Sequence, residues 1–336
     1  MTAPGLSTDR LLRLMRRSVA ETRLDLSGKV VLTEAATGPY AVTPVLAALG
    51  GAAEVIAFTR STRYGTAAEV TARTLALAEA AGVPGRIRVT TERRPDDISR
   101  ADVVTNSGHV RPIDQAMVDL MKPTAVVPLM FEAWEAEAGR SDLDIPALRK
   151  RGIEVAGTNE RHPAVDVFSY LGLMAVKLLL DAGVPAYRSR IALLCDNPFN
   201  DFMVRGLAGA GAEVTAAATL AGLLDGPQPE ALVVSMRPTG GPVLTPAELD
   251  ALAARWPGCL VGQYWGDLDR DGLAARGLPV SPAAEPGAGH MGVLPSAVGP
   301  DPIVRLQTGG LKVAEVLLRP AAERTAEDRE FVDELA

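Results

Sequence analysis

The chain has 336 residues, 47% hydrophobic and only 4% aromatic, with a formal net charge of -7. That length suits two domains, and a core built mainly of Ala, Val and Leu fits parallel sheets covered by helices. A net negative charge without a run of Lys or Arg argues against a nucleic-acid surface. No apolar run reaches the ~18 residues of a membrane span, and the start MTAPGLSTDR lacks a signal-peptide core, so a cytoplasmic chain is expected.

Residues 8–23 read as an amphipathic helix in which Leu11, Leu12, Leu14 and Met15 interleave with a basic cluster from Arg10 to Arg17. Packing on the body of the protein is the plain reading, and a membrane-surface helix is the other. Strands follow at Val30–Thr33, Glu54–Phe58, Arg86–Val89, Val103–Thr105, Ala125–Pro128 and Glu154–Ala156, with helices at 41–49, 66–81, Asp114–Met121 and 143–150. Residues 164–182 form the longest apolar stretch and predict a helix crossing from one domain to the next. A second series begins at Ser189, with strands Ile191–Leu194, Glu213–Ala217, Ala231–Ser235, Cys259–Gln263 and Pro279–Ser281 and helices at 199–210 and 245–255. A Pro- and Gly-rich loop leads to a last helix at 302–318 and an acidic, loose tail from Pro320. Alternating strands and helices predict parallel, doubly wound sheets, whose ligands bind beyond the carboxyl ends of the strands.

The first strand–turn–helix reads Val30-Val31-Leu32-Thr33-Glu34-Ala35-Ala36-Thr37-Gly38-Pro39-Tyr40-Ala41. A dinucleotide fingerprint needs glycines for close backbone approach to a pyrophosphate, and its three slots fall at Ala36, Gly38 and Ala41. The central Gly is present, the first slot is Ala, and Pro39 removes one N–H donor. After the second strand comes Phe58-Thr59-Arg60-Ser61-Thr62-Arg63, with no carboxylate for a ribose diol. Two arginines and hydroxyls there suit a 2′-phosphate, so NADP fits better than NAD. Ala36, Gly38, Tyr40, Arg60, Ser61, Arg63 and Ser107 are the candidate cofactor residues.

Two stretches carry a resemblance. Ala101-Asp102-Val103-Val104-Thr105, Ile113-Asp114 and Met121-Lys122-Pro123-Thr124-Ala125-Val126-Val127 form one; Ala231–Ser235, Leu244-Thr245-Pro246-Ala247-Glu248-Leu249, Asp267-Leu268-Asp269 and Arg276-Gly277-Leu278-Pro279-Val280 form the other. Over roughly residues 26–160 and 188–282 the chain resembles the D-2-hydroxyacid dehydrogenase-like superfamily, which includes formate and glycerate dehydrogenases. The resemblance implies an α/β fold of two doubly wound parallel-sheet domains, Rossmann-like and flavodoxin-like, with a cleft between them. In that family the substrate half usually opens the chain and is completed by its end; here the nucleotide half is read as coming first, a permuted order. The implied division is an N-terminal helix at 1–25, a Rossmann-like nucleotide domain at 26–162, an interdomain helix at 163–187, a flavodoxin-like substrate domain at 188–300, a returning helix at 301–320 and a tail at 321–336.

The family's catalytic set does not carry over. Where its Arg would stand the sequence reads Leu129-Met130-Phe131-Glu132-Ala133-Trp134-Glu135, and its acid–base His has no clean equivalent. The candidates for proton handling are therefore His109, Glu132, His162 and His290, chosen for their loops. Asn197, Ser235, Arg237, Gln263, Tyr264 and Trp265 end strands of the second series and are the substrate candidates, Arg237 as a clamp and the two aromatics as walls. Cys195 and Cys259 read as core residues, and no metal set is evident. The expectation is an NAD(P)-dependent oxidoreductase, a homodimer acting on a small carboxylate-bearing hydroxy or keto (or amino or imino) compound. A lyase, cyclase, isomerase or ligand-binding protein on the same scaffold stands beside it.

Overall fold

Short runs rich in Val and Ile, separated by helical segments, become parallel strands, as their pattern requires. The computed structural model describes residues 7–137 and 142–335, so residues 1–6 of the expected N-terminal helix and Ala336 of the tail lie outside the described residues. One unit comprises the chain up to Val167 together with Pro300 onward; the other is Phe168–Gly299.

In chain order the first unit has α1 (Thr8–Thr22), β1 (Val30–Glu34), α2 (Thr43–Leu49), β2 (Glu54–Phe58), α3 (Ala67–Ala81), β3 (Ile87–Thr90), α4 (Pro95–Arg100), β4 (Val103–Val104), α5 (Gln115–Leu120), β5 (Val126–Pro128), α6 (Ala133–Glu137), α7 (Ile145–Lys150) and β6 (Glu154–Thr158). The second has α8 (Leu171–Asp181), β7 (Arg190–Cys195), α9 (Asn200–Gly209), β8 (Glu213–Ala217), α10 (Leu220–Leu224), β9 (Ala231–Ser235), α11 (Pro246–Arg255), β10 (Leu260–Trp265), α12 (Arg270–Ala275) and β11 (Val280–Ser281). The chain then returns to the first unit as α13 (Asp301–Leu317), α14 (Ala326–Glu330) and β12 (Val332–Asp333).

The first sheet runs β12-β6-β5-β4-β1-β2-β3, parallel except for β12. This is the dinucleotide-type order, with its switch point between β1 and β4. Strand alternation splits the core in two. Val31, Val55 and Val103 face one side with α1, α2 and α13, while Leu32, Ile56 and Val104 face the other with α5 and α7. The second sheet runs β11-β10-β9-β7-β8, all parallel, the flavodoxin order with its switch point between β7 and β9. Two α/β units of these types are the fold the resemblance implied.

The helix ends are written in local sequence. Thr66 and Glu69 form a capping box at the start of α3, and Gly82 ends it in the left-handed conformation. On α1, Leu12 and Met15 are buried and the basic residues face outward, as the packed reading of that helix expects. Among the described residues no helix is long and apolar enough to cross a membrane.

Two expectations need correction. Residues 164–182 are not one helix: Val165 and Val167 turn inward to Phe331, Asp166 takes a left-handed φ of 46°, and α8 starts only at Leu171. The helix belongs to the second unit, where it packs on α9 and β10. The tail is not loose either, since α14 carries a capping box at Thr325 and Asp328 and β12 pairs antiparallel with β6. The unit that opens the chain is also the one its end completes. In the resembled family that place belongs to the substrate half, so chain order and strand order assign the first unit to opposite roles.

Helices α8 and α9 meet at Gly172 and Gly206, where a Cβ on either would strike the backbone of the other; Gly209, one turn on, faces open space. Gly206→Ala should therefore destabilise the protein by about 1–3 kcal/mol, the usual cost of overpacking. Gly209→Ala should be neutral or stabilise by up to about 1 kcal/mol through helix propensity. Urea unfolding of both variants checks the opposite signs.

Candidate functional site

The switch point of the first sheet concentrates polar groups that a strand end would not otherwise bury. Thr33 and Thr105 are fully buried and Ser107 nearly so. They form a hydroxyl chain, Thr105 Oγ1 donating to Thr33 Oγ1 at 2.9 Å and lying 2.6 Å from Ser107 Oγ. Glu34 ends β1 above this chain, and its Oε2 accepts the backbone N–H of His109 at 2.9 Å. Gly108 fits there because a Cβ would lie 3.3 Å from that same carboxylate oxygen.

Arg93, just past β3, reaches across to the same turn. Its Nη2 donates to the carbonyl of His109 at 3.0 Å and of Arg111 at 2.6 Å, and its guanidinium lies over the Phe58 ring at 5.3 Å. Burial and the nearby Arg60 pull its pKa below the ordinary arginine value. Among the described residues neither Arg60 nor Arg93 has a carboxylate within ion-pair distance, whereas Arg111 pairs with Asp142. Asp114 offsets part of this repulsion on Arg93 from outside ion-pair distance, and the positive charge that remains suits an anion. His109 is half-buried, and its Nδ1 has no hydrogen-bond partner among the described residues. Burial pushes its pKa down, Glu34 opposes that shift and Arg60 adds to it.

The other cofactor candidates are more local. Gly38 has φ 63° and open space where a side chain would be, but Pro39 follows and the chain enters a 3-10 helix, Gly38–Val42. Ala36 lies in the loop before it, and Tyr40 packs against the core behind. Ser61 Oγ accepts the N–H of Ala67 at 3.0 Å at the start of α3, and Arg63 lies on Tyr64, so neither joins the Arg60–Arg93 pair.

Glu132 and His162 lie at the β5–β6 end of the rim with the returning tail. Glu132 Oε2 accepts Trp134 Nε1–H at 2.8 Å, and Arg161 stands 3.4 Å from its Oε1. Burial raises its pKa, against the pull of Trp134 and Arg161. Burial likewise pushes Glu160 well up, helped by Glu135, Glu132 and Asp333. His162 stacks on Phe331 with centroids 3.7 Å apart, and its Nδ1 accepts the N–H of Ala164 at 3.1 Å. Burial lowers its pKa. His162 thus has a structural partner that its loop position did not reveal.

In the second unit Asn197, Ser235 and Arg237 do come together. Asn197 Nδ2 donates to the Ser235 carbonyl at 2.7 Å, and Asp196 Oδ1 accepts the Arg237 N–H at 3.0 Å. The remaining substrate candidates are built into the frame. Gln263 is locked by Arg270 and the Gly266 carbonyl. Tyr264 has no exposed surface and donates its hydroxyl to the Leu171 carbonyl at 3.2 Å, so its ring walls the core. Trp265 is buried against Phe199, its Nε1 donating to the Gly289 carbonyl. His290 is exposed in the following loop, its Nδ1 3.0 Å from the Ala288 carbonyl. Cys195 and Cys259 are buried, and burial raises both thiols, Cys259 to about 11. Among the described residues no cluster of metal-ligating side chains occurs.

Sequence reading missed Glu34 and Arg93. Both follow apolar strand runs, and the rule that ligands bind beyond parallel strand ends would have found them.

Comparison with solved structures agrees with the two-unit fold. A dipicolinate synthase structure from Bacillus halodurans matches at TM-score 0.56 and 13% identity, over 88% of this chain and 100% of its own. The dipicolinate synthase of Bacillus subtilis matches at TM-score 0.52 and 12% identity, over 91% and 99%. A cofactor (NAD+)-bound 3-phosphoglycerate dehydrogenase from Entamoeba histolytica matches at TM-score 0.47 and 10% identity, over 89% and 99%. No family model matches the sequence, and no curated protein does.

Two titrations follow. Glu34→Gln should lower the His109 pKa further and Arg60→Gln should raise it, both read by NMR of the imidazole. For Glu160, whose folded pKa is raised, the folded state keeps a proton that the unfolded chain releases above about 4.5. Its contribution is therefore complete below that pH and fades as pH rises. Glu160→Gln should add about 1–3 kcal/mol of stability at pH 8 and little at pH 4, as seen by urea unfolding at the two pH values.

Proposed function

We propose that the chain is an NADP-dependent oxidoreductase acting on a small carboxylate-bearing hydroxy or keto compound, or its amino or imino counterpart, with the nucleotide on the first unit. The observation that carries this reading is the Arg60–Arg93 pair at the ends of β2 and β3, close together and without a carboxylate partner among the described residues. An enzyme selective for NAD places a carboxylate after the second strand to bind the ribose diol, whereas two guanidiniums suit a 2′-phosphate.

Strand order supports the same unit, and chain order points to the other. Local charge favours the first. The loop after β7 carries Asp196 and Pro198, and the first turn of α9 carries Asp201, so this rim repels a phosphate and offers one N–H fewer. The residues of the first unit suit the phosphate-bearing ribose end of a dinucleotide better than its pyrophosphate, because Pro39 and the 3-10 helix leave few backbone donors after β1.

A bound nicotinamide would supply or accept the hydride. His109 would handle the proton: burial favours its neutral ring, which leaves a nitrogen lone pair available as a base near neutral pH. Glu34 holds the His109 backbone in place, and Arg93 fixes the same turn through two carbonyls.

The loop after β1 also favours a second reading, a lyase, cyclase, isomerase or ligand-binding protein that uses the same cationic rim for an organic anion. Calorimetric titration with NADPH and NADH separates the two. NADPH should bind more tightly, and replacing Arg60 and Arg93 together by Ala should weaken it by about 2–4 kcal/mol. Equal binding of both nucleotides would overturn the NADP assignment, and binding of neither would leave the second reading.

A further inference from the structure

Three segments mesh where β5 and β6 end against the returning tail. A Cβ on Gly157 would strike the Ala133 backbone, and Thr158 donates its N–H to the Phe131 carbonyl, so the ends of β5 and β6 are locked together. The tail is held more lightly. Strand β12 contributes two ladder pairs, Val332 with Thr158 and Asp333 with Gly157. Around them Asn159 donates its backbone N–H to the Phe331 carbonyl at 3.0 Å and its Nδ2 to the Glu330 carbonyl at 2.7 Å. His162 stacks on Phe331, and Asp333 Oδ2 accepts the Ala133 N–H at 2.7 Å.

This seam is crowded with carboxyls. Glu132 precedes α6, Glu135 lies in its first turn, Glu160 follows β6, and Asp333 belongs to β12. Glu132 and Glu160 are both buried. Glu132 has Trp134 and Arg161 to steady a charge. The Glu160 carboxyl makes no hydrogen bond or ion pair among the described residues, and the charges that act on it, from Glu135, Glu132 and Asp333, are all negative. A buried carboxylate without a donor and beside like charges is costly, so either it keeps a proton or water must reach it. Of the segments around it, β12 can withdraw without breaking the parallel β5–β6 ladder, and its withdrawal takes Asp333 away.

We propose that β12 is a proton-operated latch, which stays on β6 while the Glu160 carboxyl is protonated and leaves it when that carboxyl ionises beside Glu132, Glu135 and Asp333. Burial and the three acidic neighbours hold the Glu160 pKa well above its ordinary value, so the latched state keeps a proton that the open state gives up above about 4.5. The contribution of Glu160 is therefore complete below that pH. It weakens as pH rises, by up to about tenfold per unit, until Glu160 ionises in place. His162 works with the opposite sign. Burial keeps its ring neutral in the stack, against the pull of Glu330 and Glu327, so acidification below about 6.5 loosens the latch from that side. The latch belongs to the first unit alone and is independent of the nucleotide reading.

Amide hydrogen exchange of the full chain, followed by NMR from about pH 6.5 to pH 8, tests this above the range of His162. Each rate is divided by the intrinsic rate at its pH to give a protection factor. The Asn159 and Ala133 amides, which the tail bonds directly, should lose protection by about five- to tenfold across this range. The Leu129 amide, bonded to the Ala156 carbonyl between β5 and β6, should keep its protection. Glu160→Gln should flatten the profile at Asn159 and Ala133. Asp333→Asn, which keeps an acceptor for the Ala133 N–H, is the second variant and should reduce the loss even if Glu160→Gln fails to fold. Protection independent of pH in the wild type, a parallel loss at Leu129, or a loss undiminished in whichever variant folds would overturn the proposal.

Discussion

The first unit depends on one helix that the chain supplies last. Ile303, Val304, Leu311, Val313, Ala314 and Leu317 of α13 belong to the same apolar cluster as Val31, Val45 and Val55. The fit is tight: a Cβ at Gly309 would meet Thr158 and Val165, and one at Gly310 would meet the Met130 sulfur. Lys312 and Glu315 of this helix are buried, Lys312 donating to both oxygens of Glu315 at 2.8 and 2.9 Å, and the partly exposed Arg319 just past its end joins Glu315 to Asp328. Breaking one member of such a network leaves an uncompensated buried charge, which costs far more than an exposed pair. The strands that lead to Glu34 and His109 are thus held from behind by a helix about 200 positions beyond β4 and about 270 beyond β1 in sequence.

The two sheets show how little a scaffold says about chemistry. Each has a switch point, and each gathers polar loops there. Beside the first crevice, past the ends of β2 and β3, Arg60 and Arg93 have no carboxylate within ion-pair distance among the described residues, and Asp114 offsets their charge only in part. At the β7–β9 crevice side chains bind the loop backbone, Asp196 accepting the Arg237 N–H and Asn197 donating to the Ser235 carbonyl, while the buried Ser235 Oγ has no hydrogen-bond partner among the described residues. The two sheets thus differ in the charge their loops carry, and strand order alone does not separate them.

Much of the fold was legible in the sequence because parallel strands announce themselves as short β-branched runs, and β1, β2, β7 and β9 fall within a residue or so of their expected bounds. Arg60 was legible by its position after β2. Arg93 was not, since its partners His109 and Arg111 come from a different strand end and nothing local ties them. The expectation for Tyr264 failed because β10 is buried on both faces from Val261 onward, with α8 covering the face on which the Tyr264 hydroxyl meets the Leu171 carbonyl. The segment 164–170 was misread because an apolar run of that kind suits a helix or an inward turn equally, and contact with Phe331 decides the matter.

The last strand has a consequence for how copies of the chain behave toward one another. Val332 and Asp333 pair with Thr158 and Gly157, covering the outer edge of β6 with an antiparallel partner. Asp333 also accepts the Ala133 N–H, and Asn159 holds the Glu330 carbonyl, so the cover is fastened at several points. An open parallel edge offers a row of unpaired backbone groups to any neighbouring chain. At this edge the tail stands where a neighbouring strand would otherwise pair, and removing it should leave Gly157 and Thr158 open to such pairing, as β3 is at the opposite edge.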